Sequence, residues 1–265
     1  MKNHVFLFDA LILFVLVSLL ISCDPPGPEP KKPKFIPTSV TDIDGNIYKV
    51  KRFNNKLWMT ENLRVTRFDT VSPLNGTLIV AAINSELVDI QEPYYKDARN
   101  HKESPYTDNL TNEIRNSMGF LYNWSAAAGT TTNNTTVSGK VQGICPNGWH
   151  LPTETDLDSL CLFLGGREMA GEKLKSKKGW YMTSGTNESG MNCYPAGLAT
   201  GQWVISMVGQ QTMFWSSKSQ LGNNTKAEVL RLFYNQEKAE IIGINKIQAN
   251  SVRCVLDLDT SYTDF

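Results

Sequence analysis

Histidines, cysteines and closely spaced carboxylates are the side chains here with the means to do chemistry. The chain holds three histidines, His4, His101 and His150, and five cysteines, Cys23, Cys145, Cys161, Cys193 and Cys254. Only His150 stands in a structured motif, Cys145-Pro-Asn-Gly-Trp-His-Leu-Pro-Thr153. A histidine can move a proton or hold a metal. Between Trp149 and Leu151, in an apolar strand, it reads instead as a hydrogen-bonded structural residue. No Gly-x-Ser-x-Gly turn marks a nucleophile, and no close Cys-x-x-Cys pair marks zinc. Asp42, Asp44 and Asn46 are spaced by two, as calcium ligands are. An EF-hand loop, however, needs glycine where Ile47 stands and a closing glutamate that is missing. The residues thus predict no enzyme, no metal and no cofactor.

Binding chemistry is better represented. Tyr94 and Tyr95 follow Glu92-Pro93 in an irregular stretch, 64–118, and Trp203 lies in another. Long loops inside a compact domain are often functional, and exposed aromatic faces stack on sugar rings. These three are the candidate ligand contacts, with a polysaccharide or another extracellular ligand as partner. Trp58, Trp124, Trp149 and Trp215 sit in apolar settings and read as core. Formal net charge is zero in 265 residues, so nothing supports a nucleic-acid interface, which needs a basic excess or stripe.

These residues need elements to hold them. Pro146-Asn147-Gly148 is turn chemistry, and Pro152 stops the strand after it. Thr153 can cap a helix, with Asp156 placed to answer it, a variant of the capping box. Leu157, Leu160, Cys161 and Leu164 then fall on one helical face, and Gly165-Gly166 ends the helix. Arg167–Ser176 follows as a second short helix, and Asn109–Ser117 is a further helical candidate. Val40–Val50 reads as a hairpin around Asp44-Gly45, followed by a strand over Leu57–Leu63. Val229–Tyr234 and Glu240–Ile244 form a second hairpin, and Ser251–Val255 a closing strand. Thr130–Thr136 is a polar, low-complexity loop.

The first 22 residues read as an export signal. Lys2 gives a positive start and Ala10–Ile21 an apolar run. Leu20-Ile21-Ser22-Cys23 resembles a lipobox, which makes Cys23 the acylated N-terminus of a lipoprotein. Each buried methylene of an acyl chain adds about 0.8 kcal/mol of membrane affinity. Residues 24–37 carry six prolines and favour an extended tether that reaches up to roughly 40 Å. The divisions are a signal at 1–22, lipidated Cys23 and tether at 23–37, one domain at 38–257 and a tail at 258–265. Export permits disulfides. The four remaining cysteines allow three pairings, and spacing does not choose among them.

Five motifs in order resemble the Fibrobacter succinogenes major paralogous domain. They are Asp42-x-Asp-Gly-Asn-x-Tyr48, Trp58-Met-x-Glu-Asn-Leu63, Gly119-x-Leu-Tyr-Asn-Trp-x-Ala126, Cys145-Pro-x-Gly-Trp-His-x-Pro-Thr153 and Ser251-Val-Arg-Cys-Val255, with Trp215-Ser-Ser217 between the last two. The resemblance covers about Val40 to Leu256. It implies an α+β, C-type lectin-like fold of mixed short antiparallel strands, two short helices and long irregular loops. It also implies a surface-facing, outer-membrane lipoprotein. Cys145 and Cys254 lie in the two motifs that contain cysteine, which implies that they pair. Cys161 and Cys193 are left as a candidate second disulfide or as free thiols. The family pattern has Glu-Trp where this chain has Asp156-Leu157. Calcium-dependent C-type lectins use Trp-Asn-Asp where Trp215 is followed by two serines, so no calcium-sugar site of that kind is expected. Formylglycine-generating enzymes share the general fold and a similar helix start, but no motif here carries their redox-active cysteine function. The expected role is a non-catalytic surface binding module, with an adhesin-like protein-interaction component as the alternative.

Overall fold

The Asp44-Gly45 turn organises the first sheet. Gly45 takes φ +83°, a conformation that a Cβ disfavours. Asp42 Oδ1 accepts the amides of Asp44 and Asn46 at 3.0 and 2.9 Å. Its other oxygen accepts Asn46 Nδ2 at 2.9 Å and the Tyr48 hydroxyl at 2.6 Å. With its carboxylate filled by protein donors, the would-be calcium loop is a hairpin. The turn joins β2 (Ser39–Thr41) to β3 (Ile47–Phe53), and β3 continues into β4 (Lys56–Met59). On the other side of β4 lies β13 (Val255–Asp257), with Trp58 opposite Val255. The strand expected at Leu57–Leu63 stops at Met59. The one expected at Ser251–Val255 starts only at Val255, while Ser251 bridges to Phe214.

The computed structural model describes residues 34–81, 92–99, 111–131, 135–183, 185–201, 204–259 and 262–263. At its centre stand β10 (Gln211–Ser219), β11 (Lys226–Phe233) and β12 (Ala239–Asn245), an antiparallel sheet. Side chains alternate faces along a strand, and β10 buries both of its faces. Met213 and Trp215 join one core with Tyr48, Leu57, Trp124, Trp149 and Val229. Phe214 joins another with Trp58, Leu157, Leu160, Leu174 and Leu232. The sheet is therefore a partition between two cores. All four tryptophans expected in the core are there, at 0–6% exposure.

Two helices close the second core. In α3 (Glu154–Phe163) the capping box is complete: Thr153 Oγ1 accepts the Asp156 amide at 3.1 Å, and Asp156 Oδ2 accepts the Thr153 amide at 2.9 Å. Such a cap contributes about 1 kcal/mol. After Gly165 and Gly166, both at positive φ, α4 runs over Arg167–Leu174. It presses on the β11–β12 turn at Gly171, where a Cβ would stand 2.3 Å from the Lys238 carbonyl.

Four helices are present among the described residues, where the resemblance implies two, and the candidate over Asn109–Ser117 is one of them. Besides α3 and α4, they are α1 (Asn112–Met118) and α2 (Trp124–Ala128). Every residue of α2 is buried, so it has no polar face and no helical period to read. A third, smaller core joins Tyr94, Met118, Leu121 and Ala196. Here β5 (Val80–Ala81), β6 (Tyr94–Asp97) and β7 (Phe120–Tyr122) form a small sheet, and β8 (Leu198–Ala199) pairs with β9 (Ile205–Ser206). Finally, β1 (Lys34–Phe35) pairs in parallel with β14 (Tyr262–Thr263). The fold thus takes in the last residues of the segment read as tether and part of the segment read as tail. No described helix is long and apolar enough to cross a membrane.

Candidate functional site

The sequence drew attention to the Cys145–Leu164 motif, and the structure turns its chemistry inward. His150 Nε2 lies 3.1 Å from Asp156 Oδ2. A carboxylate only accepts, so that nitrogen carries the proton. Lys56 Nζ is 2.7 Å from Asp156 Oδ1 and also bonds Asp257, which Lys140 reaches from the far side. Burial works to raise the Asp156 carboxyl. Hydrogen bonds from His150, Lys56 and Thr153 outweigh it and hold the group well below the usual carboxylate range. His150, Asp156 and Asp257 bring three metal-binding atoms within 4.8 Å of one another. The ammonium of Lys56 already stands between the two carboxylates, so it supplies the cation that a metal would. The cluster is a charge knot, buried at Asp156 and His150, that ties β4, β13 and α3 together.

Cys145 and Cys254 form a disulfide across a sequence separation of 109. Cys161 and Cys193 are free thiols, both buried, so the candidate second disulfide is not formed. Each packs as a small apolar side chain in the second core. Burial pushes the Cys161 thiol up to about 12, which makes it a poor nucleophile.

The aromatic candidates fare differently from expectation. Tyr94 is 1% exposed and belongs to the third core, so it cannot stack on a ligand. Its neighbour on the opposite strand face, Tyr95, is half-buried and stacked on Phe120 with ring centroids 4.6 Å apart. Trp203 lies outside the described residues. Trp180 is 7% exposed and donates to Ser176 Oγ and the Cys193 carbonyl.

A polar cleft of about 390 Å3 takes their place. One wall is Lys49 on β3 with Thr60 and Glu61 just after β4. A second side is α1 with its N-cap, through Thr111, Glu113 and Ser117. The far wall is Lys177, Lys178, Asn187, Asn192 and Tyr194. None of these belongs to the sequence motifs except Thr60 and Glu61. A larger groove, about 510 Å3, runs between Thr136–Ser138 and Lys218–Asn224. Its rim includes Leu221, which is 95% exposed. We take the smaller cleft as the site because buried side chains fix its walls.

Arg253 is the main anchor. It is 2% exposed and stacks on Phe214 at 5.0 Å. Its guanidinium donates to Asn62 Oδ1 at 2.7 Å, to the Met191 carbonyl and to the Asn192 carbonyl at 3.0 Å. It makes no ion pair among the described residues. A buried charge held by dipoles alone is costly unless it is well hydrogen-bonded, and Arg253 has a bond from each of its three nitrogens. Arg253 uses its donors to hold the far wall against the first. Lys51 Nζ adds a bond to the Ser189 carbonyl at 2.6 Å. Asn187 and Asn192, both at positive φ, lock to each other: Asn187 Nδ2 donates to Asn192 Oδ1 at 2.7 Å, and the Asn192 amide donates to Asn187 Oδ1 at 2.8 Å. Burial, then Glu113, pushes the Tyr194 phenol above its ordinary value, so it remains a hydroxyl donor at neutral pH. The cleft is a recess of hydroxyls, amides and charges with one aromatic ring, its far wall held by Arg253.

Fold and cleft together define a disulfide-closed α+β domain with a polar recess. The profile of the Fibrobacter succinogenes major domain matches residues 52–256, and the chain belongs to that family. No curated protein and no solved structure matches.

Proposed function

We propose that this chain is a lipid-anchored envelope protein whose folded domain is a non-catalytic binding module for a polysaccharide, seated in the polar cleft. The cleft carries this reading. Saccharides offer dense hydroxyl donors and acceptors, and the recess answers them with Thr111, Tyr194, Asn192 and flanking charges on fixed walls. Preorganised polar groups lose little freedom on binding. The non-catalytic part is supported by the carboxylates: Glu61 faces Arg64 at 3.5 Å and Glu113 faces Lys49 at 3.3 Å, while His150 is committed to Asp156. Neither cleft carboxylate is left as an unpaired acid or base.

The family resemblance supports a C-type lectin-like architecture, without the calcium chemistry of the lectins. Ser216 and Ser217, where those lectins place ligands for calcium, are both fully buried, and Ser217 Oγ donates to the Gly139 carbonyl at 2.5 Å. The lipobox at Cys23, the signal at 1–22 and the proline-rich tether supply the anchor, with the outer membrane and its exterior face as the location. A second reading, an adhesin-like interaction module, rests on Leu162, Phe163 and Met169, which are 72%, 52% and 44% exposed on α3 and α4.

A glycan array probed with calcium and again with chelator tests the binding function. Saturable, chelator-insensitive binding is expected. Binding abolished by chelator overturns the calcium-free site. No binding by a folded protein gives the weight to the adhesin-like reading, to be pursued by cross-linking on cells. For the anchor, C23S is expected to lose palmitate labelling and to leave the membrane fraction. An unchanged fractionation would sink the lipoprotein assignment.

A further inference from the structure

The charges in the cleft do not balance. Lys49, Lys177 and Lys178 line it against Glu61 and Glu113. Both carboxylates have cationic partners, Arg64 and Lys49. Lys177 and Lys178 make no ion pair among the described residues, so two ammonium groups remain unanswered. Side by side they repel, and a solvated surface loop would let them part.

Here the backbone is pinned on both flanks. Before the pair, Lys175 is buried and its Nζ donates to the carbonyls of Phe233, Tyr234 and Gln236 at 3.4, 3.2 and 2.8 Å. Ser176 is buried too, its amide bonded to the Cys193 carbonyl at 3.1 Å and its hydroxyl to the Lys178 carbonyl at 2.7 Å. After the pair, Trp180 is buried and donates to Ser176 Oγ. These bonds fix where the two lysines leave the fold, on the wall shared with Asn192 and Tyr194.

We propose that the cleft takes an acidic polysaccharide, a chain bearing carboxylate or sulfate groups. Lys177 and Lys178 meet its anionic groups, while the hydroxyls of Thr111 and Tyr194 meet neighbouring sugar hydroxyls. This rests on the cleft being a saccharide site. An ammonium is a compact point charge that suits either anion, so the geometry selects the class and leaves the anion to measurement.

Calorimetric titration of the full-length protein, purified in detergent, tests it with three probes: polygalacturonate, its methyl ester and dextran sulfate. Polygalacturonate is expected to bind about tenfold more tightly than the neutral ester, the effect of two partly screened contacts, and to weaken as salt rises. K177Q/K178Q is expected to bring it down to the level of the ester, while K226Q, outside the cleft, leaves it unchanged. Preference for dextran sulfate over polygalacturonate, lost in the same double variant, supports the proposal and assigns sulfate as the anion. Equal binding of acid and ester, unaltered by K177Q/K178Q, overturns the acidic ligand and leaves the saccharide site standing. Equal loss in K226Q overturns it as unspecific polyanion adsorption. No binding of any probe by a protein with native near-ultraviolet dichroism overturns both the acidic ligand and the saccharide reading.

Discussion

Two charged clusters in this chain have nearly the same composition and opposite situations. The knot holds Lys56, Lys140, His150, Asp156 and Asp257; the cleft holds Lys49, Lys177, Lys178, Glu61 and Glu113. In the knot each group's partner lies inside the protein. Asp156 alone accepts from His150, Lys56 and both the amide and hydroxyl of Thr153. In the cleft the described residues answer the carboxylates and leave two ammonium groups without an ion pair among them. A charged cluster is a candidate for binding when its valences are not used up by the protein, and the number of charges says little by itself. Arg253 shows the third possibility, a buried charge whose three hydrogen bonds hold a wall in place.

The comparison can be broken in graded steps. The largest effect is expected from C145S/C254S. Opening a loop of this length costs about 4–5 kcal/mol in the chain-entropy model, read by urea denaturation. The change acts on the fold as a whole, so whatever remains folded should still bind ligand. Asp156→Ala comes next. It leaves His150 without its acceptor and takes from Lys56 one of its two carboxylates, Asp257 remaining, at a cost of about 3 kcal/mol.

The same residue sets a pH dependence. Its folded value is depressed below the ordinary 3.8, so its contribution is complete above that pH and fades as acid carries the solution down toward the folded value. Urea midpoints across this window should fall more steeply for the native chain than for D156N. Parallel profiles would mean that the knot is not the acid-sensitive element.

Arg253→Met is expected to cost about 2–4 kcal/mol, since it strands the Met191 and Asn192 carbonyls. It should also weaken ligand binding, because the far wall of the cleft loses its tie to Asn62. Full affinity in R253M would show that the recess does not depend on that anchor. The smallest stability change belongs to K177Q/K178Q, within about 0.5 kcal/mol as for surface substitutions elsewhere. A clear loss of stability there would move the two lysines from the cleft's side of the comparison to that of the knot.

The local half of this architecture was legible before any coordinate. Asp44-Gly45 demanded a hairpin, and Thr153 with Asp156 demanded a helix start, because turns and caps are settled by neighbours within a few residues. Family resemblance supplied the Cys145–Cys254 pairing. Legibility failed where periodicity carries no information. Trp124–Ala128 is helical, yet with all five residues buried it shows no polar face. It also failed where two adjacent residues share a composition but point to opposite strand faces. Tyr94 went into the core and Tyr95 onto Phe120, which sequence could not apportion without the register of β6.

The sequence by itself therefore determined the hairpins, the capped α3, the core tryptophans and, by resemblance, the family. Only the tertiary structure decided the cleft. Its walls come from residues near 49–61, 111–117 and 177–194, three segments that share no spacing or motif. What ties them is Arg253, buried far along the chain and bonded to the carbonyls of 191 and 192 and to Asn62, which in turn bonds the Ser117 and Met118 carbonyls. Backbone carbonyls are present at every residue, so no side-chain pattern can announce which two a buried guanidinium will hold.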